Sequence, residues 1–359
     1  MKTKVLFIVV LSMCSMLTFG QAKLLENYPK HYVCYRTNVN IVLDGLLNEP
    51  SWQNVPWTDH FLDIEGPHMP KPYYNTRAKM LWDDDYFYIA AELEEPHLWA
   101  TYTERESVVF HENDFEVFID ANGDTHTYYE LELNALGTLW DLFLTKPYLN
   151  DGIPMNAWDI AGFKFGIKLR GTLNNPSDTD TSWTVEMAFP WNVLKECAFE
   201  RRRPNSGEQW RVNFSRVQWR LDIVDGEYVK TINPDTGKSY PEHNWVWSPQ
   251  WTINMHRPEF WGYVQFSDVQ AGSGTDEFIP NPDEPIKFVL RELYYSQLAY
   301  WEIHNMYATR IDELEIPFNF LKGLKVDFEV SRTRFKLSAL SADGESVWYI
   351  TDDSRIWKE

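Results

Sequence analysis

The chain has 359 residues, of which 44% are hydrophobic and 16% aromatic, so it can form a sizeable core. Its 53 acidic residues outnumber the 33 basic ones and give a formal charge of −20. This charge argues against nucleic acids and anionic membrane surfaces as partners, because their phosphates would be repelled, and it leaves neutral ligands and cations open.

The first 20 residues are typical of a secretory signal peptide. Two lysines precede the apolar run 5–17, and the small residues Thr18 and Gly20 occupy the positions expected just before a cleavage site. The apolar run is too short for a membrane span, and no later stretch is long and apolar enough for one. We therefore expect a mature chain that begins at Gln21 and is secreted or periplasmic.

Two cysteines, Cys34 and Cys197, remain after cleavage at this position. An oxidising compartment would allow them to pair, and the bridge would close a very long loop. The sequence leaves a disulfide and two free thiols equally open.

After a short polar lead, the N-terminal part of the chain predicts strands separated by turns. The segment 40–45 predicts a strand that ends in a turn, and a short helical turn follows in which Trp52 closes the end of a core. The segment 57–74 predicts a long loop because it contains several prolines. Alternating apolar residues then predict strands over 76–82 and 86–93.

The stretch 112–134 predicts a strand, a turn and a second strand. Apolar and polar residues alternate on both sides of Asn122-Gly123, and this pair supplies the positive φ angles that a tight turn needs. One face of the hairpin is expected to enter a core. The other face carries four carboxylates and an amide, which are Asp114, Glu116, Glu130, Glu132 and Asn134.

Further strands are predicted along the chain as far as residue 266, with one short helix near residue 193. These strands are 138–144, 163–170, 183–189, 210–215 and 262–266. Many short strands with almost no helix indicate an all-β fold, an antiparallel β-sandwich or a barrel. The sequence contains no phosphate-binding glycine loop, nucleophile elbow or zinc-protease motif.

The C-terminal region differs from the rest in its periodicity. The Pro- and Gly-containing segment 269–285 predicts a linker. Apolar residues at helical spacing then predict one long amphipathic helix over 286–313. Strands are predicted over 326–336 and 347–350, with a turn at Asp343-Gly344. We therefore expect a signal peptide over 1–20, a sandwich over 21–268, the linker, and a small α+β appendage over 286–359.

Five sequence blocks carry a resemblance to a known family. In chain order they are 43–45 with Trp52, 81–91, 113–120, 183–191 and 256–262. With these blocks the region 41–266 resembles the family 9 carbohydrate-binding modules, in particular a secreted bacterial branch. The resemblance implies a β-sandwich that binds sugar without cleaving it, grips the sugar between two aromatic rings, and holds structural calcium. It also implies a role in polysaccharide utilisation beside a glycan-degrading enzyme.

Loop tryptophans are the candidate stacking residues, because sugar rings present apolar C–H faces that pack on aromatic planes. Trp99 and Trp158 are favoured, since both lie beside strand ends in loops that contain Pro or Asn. Trp140, Trp219 and Trp247 are further candidates. The alternative for each tryptophan is packing at the rim of the sandwich.

Candidate hydrogen-bonding residues lie on the polar face of the second hairpin strand. Glu130, Glu132 and Asn134 could bind sugar hydroxyls. The alternative is a solvated or Arg-paired sheet face, with Arg77, Arg211 and Arg216 available as partners.

A calcium site is a further possibility at the hairpin turn. Asp120, Asn122 and Asp124 offer alternate oxygen ligands around Gly123, although the full EF-hand loop is not present. A plain hairpin turn explains the same residues.

Two other functions are consistent with particular residues. A glycoside hydrolase needs two carboxylates across a cleft, and Glu116 with Glu130 or Glu132 could supply them. A haem-binding sandwich could use Met255 and His256. Adjacent residues of one strand point to opposite faces, so they could not both be axial ligands from that strand. Carbohydrate binding without catalysis remains the principal hypothesis.

Overall fold

The computed structural model describes residues 27–316, 320–321 and 323–359. The predicted signal peptide lies outside the described residues. The chain divides into two compact units, which we describe separately. The larger unit comprises Lys30–Gly123 and Thr127–Phe278, and the smaller one comprises Ile279–Glu359 with 27–29 and Asp124–His126.

The larger unit is built almost entirely from β-strands. Its two short α-helices are α1, Pro50–Gln53, and α2, Trp191–Leu194. Its strands are β1 His31–Arg36, β2 Leu62–Asp63, β3 Thr76–Trp82, β4 Tyr86–Glu94, β5 Asp114–Asp120, β6 Tyr128–Asn134, β7 Leu139–Leu144, β8 Pro154–Met155, β9 Lys164–Arg170, β10 Ser182–Pro190, β11 Gln209–Gln218, β12 Leu221–Val224, β13 Glu227–Lys230, β14 His243–Val246 and β15 Gly262–Gln270.

The strands form a β-sandwich, as predicted. One hydrogen-bonded path runs β8-β7-β6-β5-β11-β15-β1-β3-β4-β10-β9, and β14 pairs with β11 and with β2. Apolar side chains from β5, β6 and β11 share one core with those from β3, β4 and β10. The two ends of the path therefore face each other as layers. Most pairs are antiparallel, but β1 runs parallel to both β15 and β3.

The strongest strand predictions are confirmed by β3 to β6. The predicted strand 76–82 coincides with β3, and the hairpin forms as β5 and β6. One expectation is wrong, because both faces of β5 and β6 are buried. On the face opposite the main core, Phe118 and Tyr128 pack with Trp261, which comes from the segment before β15.

The predicted strand over 40–45 is wrong for a local reason. The Glu186 carboxylate accepts hydrogen bonds from the backbone N–H groups of Asp44 at 3.1 Å and Gly45 at 2.7 Å. Glu186 also accepts a bond of 2.8 Å from Nε1 of Trp52, which is fully buried as predicted. These amides therefore bind a side chain and not a neighbouring strand. The first strand is β1, within the predicted polar lead.

The smaller unit packs one helix, α3 (Glu284–His304), against a four-stranded antiparallel sheet. The strands are β16 Val326–Val330, β17 Phe335–Leu340, β18 Val347–Thr351 and β19 Ile356–Lys358. The helix is shorter than predicted, because Asn305 adopts a left-handed conformation and its N–H caps the Trp301 carbonyl. The turn at Asp343-Gly344 forms as expected.

Two general properties bear on the earlier predictions. Both remaining cysteines are free thiols, Cys34 in the core and Cys197 partly buried, so the structure favours the unpaired alternative. Within the described part of the chain, no helix combines the length and the apolar character needed to cross a membrane.

Candidate functional site

One face of the sheet in the larger unit carries a row of side chains at a single level across four strands. Trp140 on β7 is opposite Glu132 on β6, and Glu132 is opposite Glu116 on β5. Ser215 on β11 continues the row. Residues that are directly opposite in a sheet project from the same face. Alternation within these strands therefore places an indole beside two carboxyl groups, at the base of a cavity of about 410 Å³.

Aromatic rings form the walls of this cavity. The Trp140 indole stacks on Phe110 with 6.2 Å between the ring centroids, and it remains partly exposed. Tyr148 comes from the short 3-10 helix Tyr148–Asn150 after β7 and is 42% exposed. Its ring packs edge-on against His256 at 4.4 Å. The Trp140 ring from β7 and the Tyr148 ring from the segment after it thus border the same opening.

Carboxyl groups form the base of the cavity. Glu132 Oε2 accepts a hydrogen bond of 2.9 Å from the Phe110 backbone N–H, which fixes the loop that carries one wall. Glu130 Oε2 lies 4.0 Å from Nε2 of His256. The other ring nitrogen of His256 shares a hydrogen bond of 2.9 Å with the Tyr128 hydroxyl. These contacts hold the polar groups in position beneath the aromatic walls.

Burial controls the charge of these groups. Desolvation raises the pKa of Glu116 to about 7, and it raises the pKa values of Glu130 and Glu132 well above their ordinary range. Repulsion from Glu116 adds to the shift of both. Burial also lowers the pKa of His256 to about 3, so its imidazole is neutral at physiological pH. A protonated carboxyl group can donate as well as accept a hydrogen bond. The base of the cavity can therefore act as donor or as acceptor toward sugar hydroxyls.

The structure brings three of the predicted site residues together and places the others elsewhere. Glu130, Glu132 and Trp140 all line the cavity. Trp158 stacks on Tyr129 at 5.0 Å between centroids and borders a different cavity, of about 510 Å³. Trp99 is only 9% exposed and lines none of the described cavities, so its placement gives no support to a stacking role.

Asn134 has a structural environment at the end of β6. Its Nδ2 donates to the Tyr102 carbonyl at 3.0 Å, and its Oδ1 accepts from the backbone N–H groups of Leu136 and Thr138. These bonds organise the β6–β7 turn. The side chain is fully buried and does not line the cavity.

The remaining candidate tryptophans lie outside this cavity. Trp247 is buried against Gly262, where an added Cβ would collide with the indole. Trp219 lines a separate cavity, and Nζ of Lys230 lies over its ring at 3.2 Å from the centroid. Its Nε1 donates to the Phe110 carbonyl at 2.9 Å.

The alternative of a solvated or Arg-paired sheet face is wrong for Glu130 and Glu132, because both carboxylates are buried. The three arginines proposed as partners bind other groups. Arg77 pairs with Glu92, Arg216 pairs with Glu95, and Arg211 donates to the backbone carbonyl of Glu259. The acidic base is therefore not neutralised by these side chains.

The predicted calcium ligands lie at the turn between β5 and β6. Asp120 Oδ1 accepts a bond of 2.9 Å from the Gly123 N–H, as in an ordinary turn. Asp124 belongs to the smaller unit, where its carboxylate accepts from the His126 N–H and pairs with Arg355 at 3.1 Å. Asn122 is exposed. Calcium at this turn stays a prediction.

Several residues of the cavity were missed in the sequence because segments distant along the chain supply them. These residues are Phe110, Tyr148, Glu242, Asn244, Asn254 and His256. Met255 and His256 both line the cavity, and they lie in a loop rather than on a strand. The premise that they occupy one strand is therefore wrong. Only His256 carried a sequence signal, since it begins the last of the five family blocks.

The carboxyl groups share one surface instead of facing each other across a cleft. Glu116 and Glu132 are direct neighbours on adjacent strands, and one oxygen of each lies within 4.8 Å of the other. Glycoside hydrolases place their two carboxyl groups on opposite sides of the scissile bond. This arrangement does not favour the hydrolase alternative. Aromatic rings around a polar base instead suit the binding of a sugar, whose C–H face packs on aromatic planes and whose hydroxyls form hydrogen bonds.

Comparison with known proteins finds a matching family model and one similar curated protein. Residues 43–212 match the family described as carbohydrate family 9 binding domain-like, which confirms the resemblance carried by the sequence blocks. An exoglucanase, XynX, from Acetivibrio thermocellus is 30% identical over 118 residues. That match covers 33% of this chain and spans 9% of the length of the exoglucanase.

Solved structures with similar folds include two described as carbohydrate-binding. A candidate carbohydrate-binding protein from Bacteroides uniformis is 17% identical, with a TM-score of 0.48, over 67% of this chain and 100% of its own. A family 9 module from Caldicellulosiruptor kristjanssonii in complex with cellotriose is 17% identical, with a TM-score of 0.41, over 69% of this chain and 100% of its own.

Proposed function

We propose that the larger unit binds carbohydrate, without cleaving it, in the cavity above β5, β6 and β7. The observation that carries this proposal is the row of Trp140, Glu132 and Glu116 across three neighbouring strands, with Tyr148 across the opening. The rings offer apolar planes to the C–H face of a sugar. The carboxyl groups beneath them offer hydrogen-bond partners to its hydroxyls.

The charge of the site favours neutral sugars over acidic ones. The carboxyl side chains Glu116, Glu130, Glu132 and Glu242 all line the cavity. A uronate or a sulfated sugar would be repelled by those of these carboxyl groups that are ionised, and the formal charge of −20 acts in the same direction. The Acetivibrio relative is an exoglucanase, so glucans are the first ligands to test. The predicted signal peptide makes a glycan outside the cytoplasm the expected target, with a glycan-degrading enzyme acting beside the module.

The proposal is tested with a glycan array, followed by calorimetric titration of the best neutral oligosaccharide. Trp140→Ala should weaken binding about tenfold or more, a loss of about 1.4 kcal/mol, because the stacking plane disappears. The matched control is Phe199→Ala, which removes another exposed aromatic ring, at 68% exposure, that lines none of the described cavities.

An equal loss of sugar affinity in the Trp140 and Phe199 variants would show that the cavity is not the binding site. A parallel incubation of the protein with the same glycans distinguishes binding from hydrolysis. We expect no increase in reducing ends. Glycan hydrolysis that disappears in Glu116→Gln would restore the hydrolase alternative.

A further inference from the structure

A second cavity of the larger unit, of about 680 Å³, exceeds in volume the first cavity, which is the one proposed for neutral sugar. Strand β14 contributes to both, because successive side chains of a strand point to opposite faces. His243 and Trp245 line the second cavity, whereas Asn244 lines the first. Further walls come from the loop 69–74 and from the end of β11. The described lining residues of the two cavities have none in common, so the second cavity can hold a ligand of its own.

Aromatic rings form one wall of the second cavity. Tyr73 is 49% exposed and stands nearly perpendicular to Trp245, with 4.7 Å between the ring centroids, and to His243, at 5.5 Å. The His243 and Trp245 rings stack on each other at 5.7 Å. Trp219 also lines this cavity and is partly exposed. Tyr73 and Trp219 therefore offer accessible ring surface to the apolar face of a cyclic ligand.

Cations of the protein itself already lie against these rings. The Arg216 guanidinium carbon is 5.3 Å from the centroid of the Trp245 ring, and Nζ of Lys230 is 3.2 Å from that of Trp219. Arg216 is 1% exposed and pairs with Glu95 at 3.0 Å, so it neutralises a carboxylate that lines the cavity. A cationic ligand would meet rings that are already occupied by positive charge and would be repelled.

Arg220 provides an oriented anion-binding group at this cavity. Its Nε donates to Nε2 of His243 at 3.2 Å, and its guanidinium carbon lies 4.7 Å from the centroid of the Tyr240 ring. Burial lowers the pKa of His243, and the charge of Arg220 adds to this effect, so the imidazole is neutral and accepts the bond. Within the described residues, the two terminal nitrogens of Arg220 have no hydrogen-bond partner. A guanidinium held in this way is suited to a carboxylate or a sulfate group.

The balance of charge differs between the two cavities. Lys71 and Arg220 line the second together with Asp63 and the neutralised Glu95, whereas four carboxyl side chains and no lysine or arginine are among the described residues that line the first. The net charge of −20 opposes any anion at long range, but charges more than about 8 Å apart are largely screened at physiological ionic strength. The nearby cations therefore decide which ligand the second cavity accepts.

Polar groups between the rings and the cations suit a hydroxylated ligand. Asp63 Oδ1 accepts from the Glu65 N–H at 3.0 Å, which leaves Oδ2 for a ligand. Nδ1 of His97 shares a hydrogen bond of 3.2 Å with the Tyr228 hydroxyl, which leaves Nε2. With the exposed rings and the oriented guanidinium, these groups match a ligand that has an apolar face, several hydroxyl groups and one negative charge.

We propose that the second cavity binds an acidic saccharide, with its carboxylate or sulfate group held by Arg220 and Lys71 and its ring packed against Tyr73. This inference goes beyond the proposed function, because the acidic base of the first cavity disfavours the same ligand. It does not depend on sugar binding in the first cavity, so each site is tested with its own ligand. Uronates and sulfated sugars share the required chemistry, and matched probes distinguish them.

The test is a calorimetric titration of the chain from Gln21 with methyl glycosides at about 0.15 M salt, where long-range repulsion is screened. The probes are a glucose and a galactose series, and the members of each series carry a hydroxyl, a carboxylate or a sulfate group at carbon 6. We expect at least one acidic probe to bind with a Kd of about 1 mM or tighter, as suits a ligand of this size.

Two variants and one control locate the site. Arg220→Gln should weaken binding of the acidic probe at least about tenfold, because a charge-assisted hydrogen bond is lost. Tyr73→Ala should weaken it about fivefold or more, because the exposed ring is removed. Arg170→Gln is the control, since Arg170 is also exposed and lines none of the described cavities, and it should leave the Kd within about twofold.

The melting temperature of each variant checks its folding, and Lys71→Gln replaces Arg220→Gln if the latter does not fold. The proposal is overturned if the unaltered chain binds none of the acidic probes, or if Arg220→Gln and Arg170→Gln have equal effects. It is also overturned if Trp140→Ala abolishes acidic-sugar binding while Arg220→Gln retains it, since the ligand would then occupy the first cavity. Binding of acidic probes without binding of any neutral glycan refutes only the proposed function.

Discussion

Individual side chains at the cavity combine burial with charge, and Glu116 shows the consequence for stability. Its pKa rises from an ordinary 4.5 to about 7 in the folded chain. Between these two values the folded protein retains a proton that the unfolded chain has released. Folding is therefore favoured at the acidic end of this window, and the contribution is lost as the pH rises through about 7.

The pH dependence of unfolding tests this effect. In chelator, the free energy of unfolding should fall between pH 5 and pH 8, and Glu116→Gln should show a shallower decline, because the substituted amide does not titrate. The measurement is urea unfolding at several pH values for both proteins. Parallel curves for the two proteins would show that Glu116 titrates as it does in the unfolded chain.

At the scale of secondary structure, close backbone contact determines where the segment 43–45 lies. A Cβ added to Gly166 on β9 would fall 2.1 Å from the Leu43 carbonyl oxygen and 2.7 Å from the Asp44 nitrogen. A Cβ added to Gly45 would likewise fall 2.4 Å from the Lys168 backbone nitrogen. Glycine at these positions lets the segment lie against β9 while Glu186 binds its amides.

Gly166→Ala should therefore destabilise the sandwich by about 1–3 kcal/mol or more, because the clash is with backbone that cannot rotate away. Gly274→Ala is the control, since its nearest contact would be an ordinary 3.6 Å to Val269. We expect the control to stay within about 0.5 kcal/mol of the original chain in denaturant unfolding. Equal effects for both substitutions would mean that the segment moves freely.

At the scale of the whole molecule, the two free cysteines predict a fold that needs no disulfide. When the chain from Gln21 is unfolded without reductant, two thiols should react with a thiol reagent. In the folded protein Cys34 should be unreactive, because it is fully buried, while Cys197 should react slowly. The measurement is a thiol-reagent assay in buffer and in denaturant. An absence of thiols in the denatured sample would establish the disulfide that the sequence left open.

Much of the sandwich could be predicted because its central strands are encoded locally. Period-two alternation predicts β3, β4, β5 and β6 without knowledge of the strands with which they pair. By contrast, β1 was missed, since its partners β15 and β3 are distant along the chain and its pattern is short. The predicted helix end was too late because a single left-handed residue, Asn305, stops it.

The cavity shows the same division between local and distant information. Glu130 and Glu132 could be proposed from the alternation within β6, whereas Trp140 was proposed as a loop residue and lies on β7. The exposure of each tryptophan depends on packing by other segments, so Trp99 and Trp140 look alike in the sequence but differ in the structure. Tyr148 and His256 come from loops whose meeting point only the tertiary structure defines.

The parallel pairing of β1 has a consequence for biosynthesis. His31 pairs with Tyr263, so the strand made first receives one of its two partners only after almost all of the sandwich has left the ribosome. Contacts so distant in sequence slow folding, because a long loop must close before they form. A nascent fragment that ends before β15 would expose unpaired backbone groups along both β1 and β11, and a chaperone that binds extended segments could recognise them.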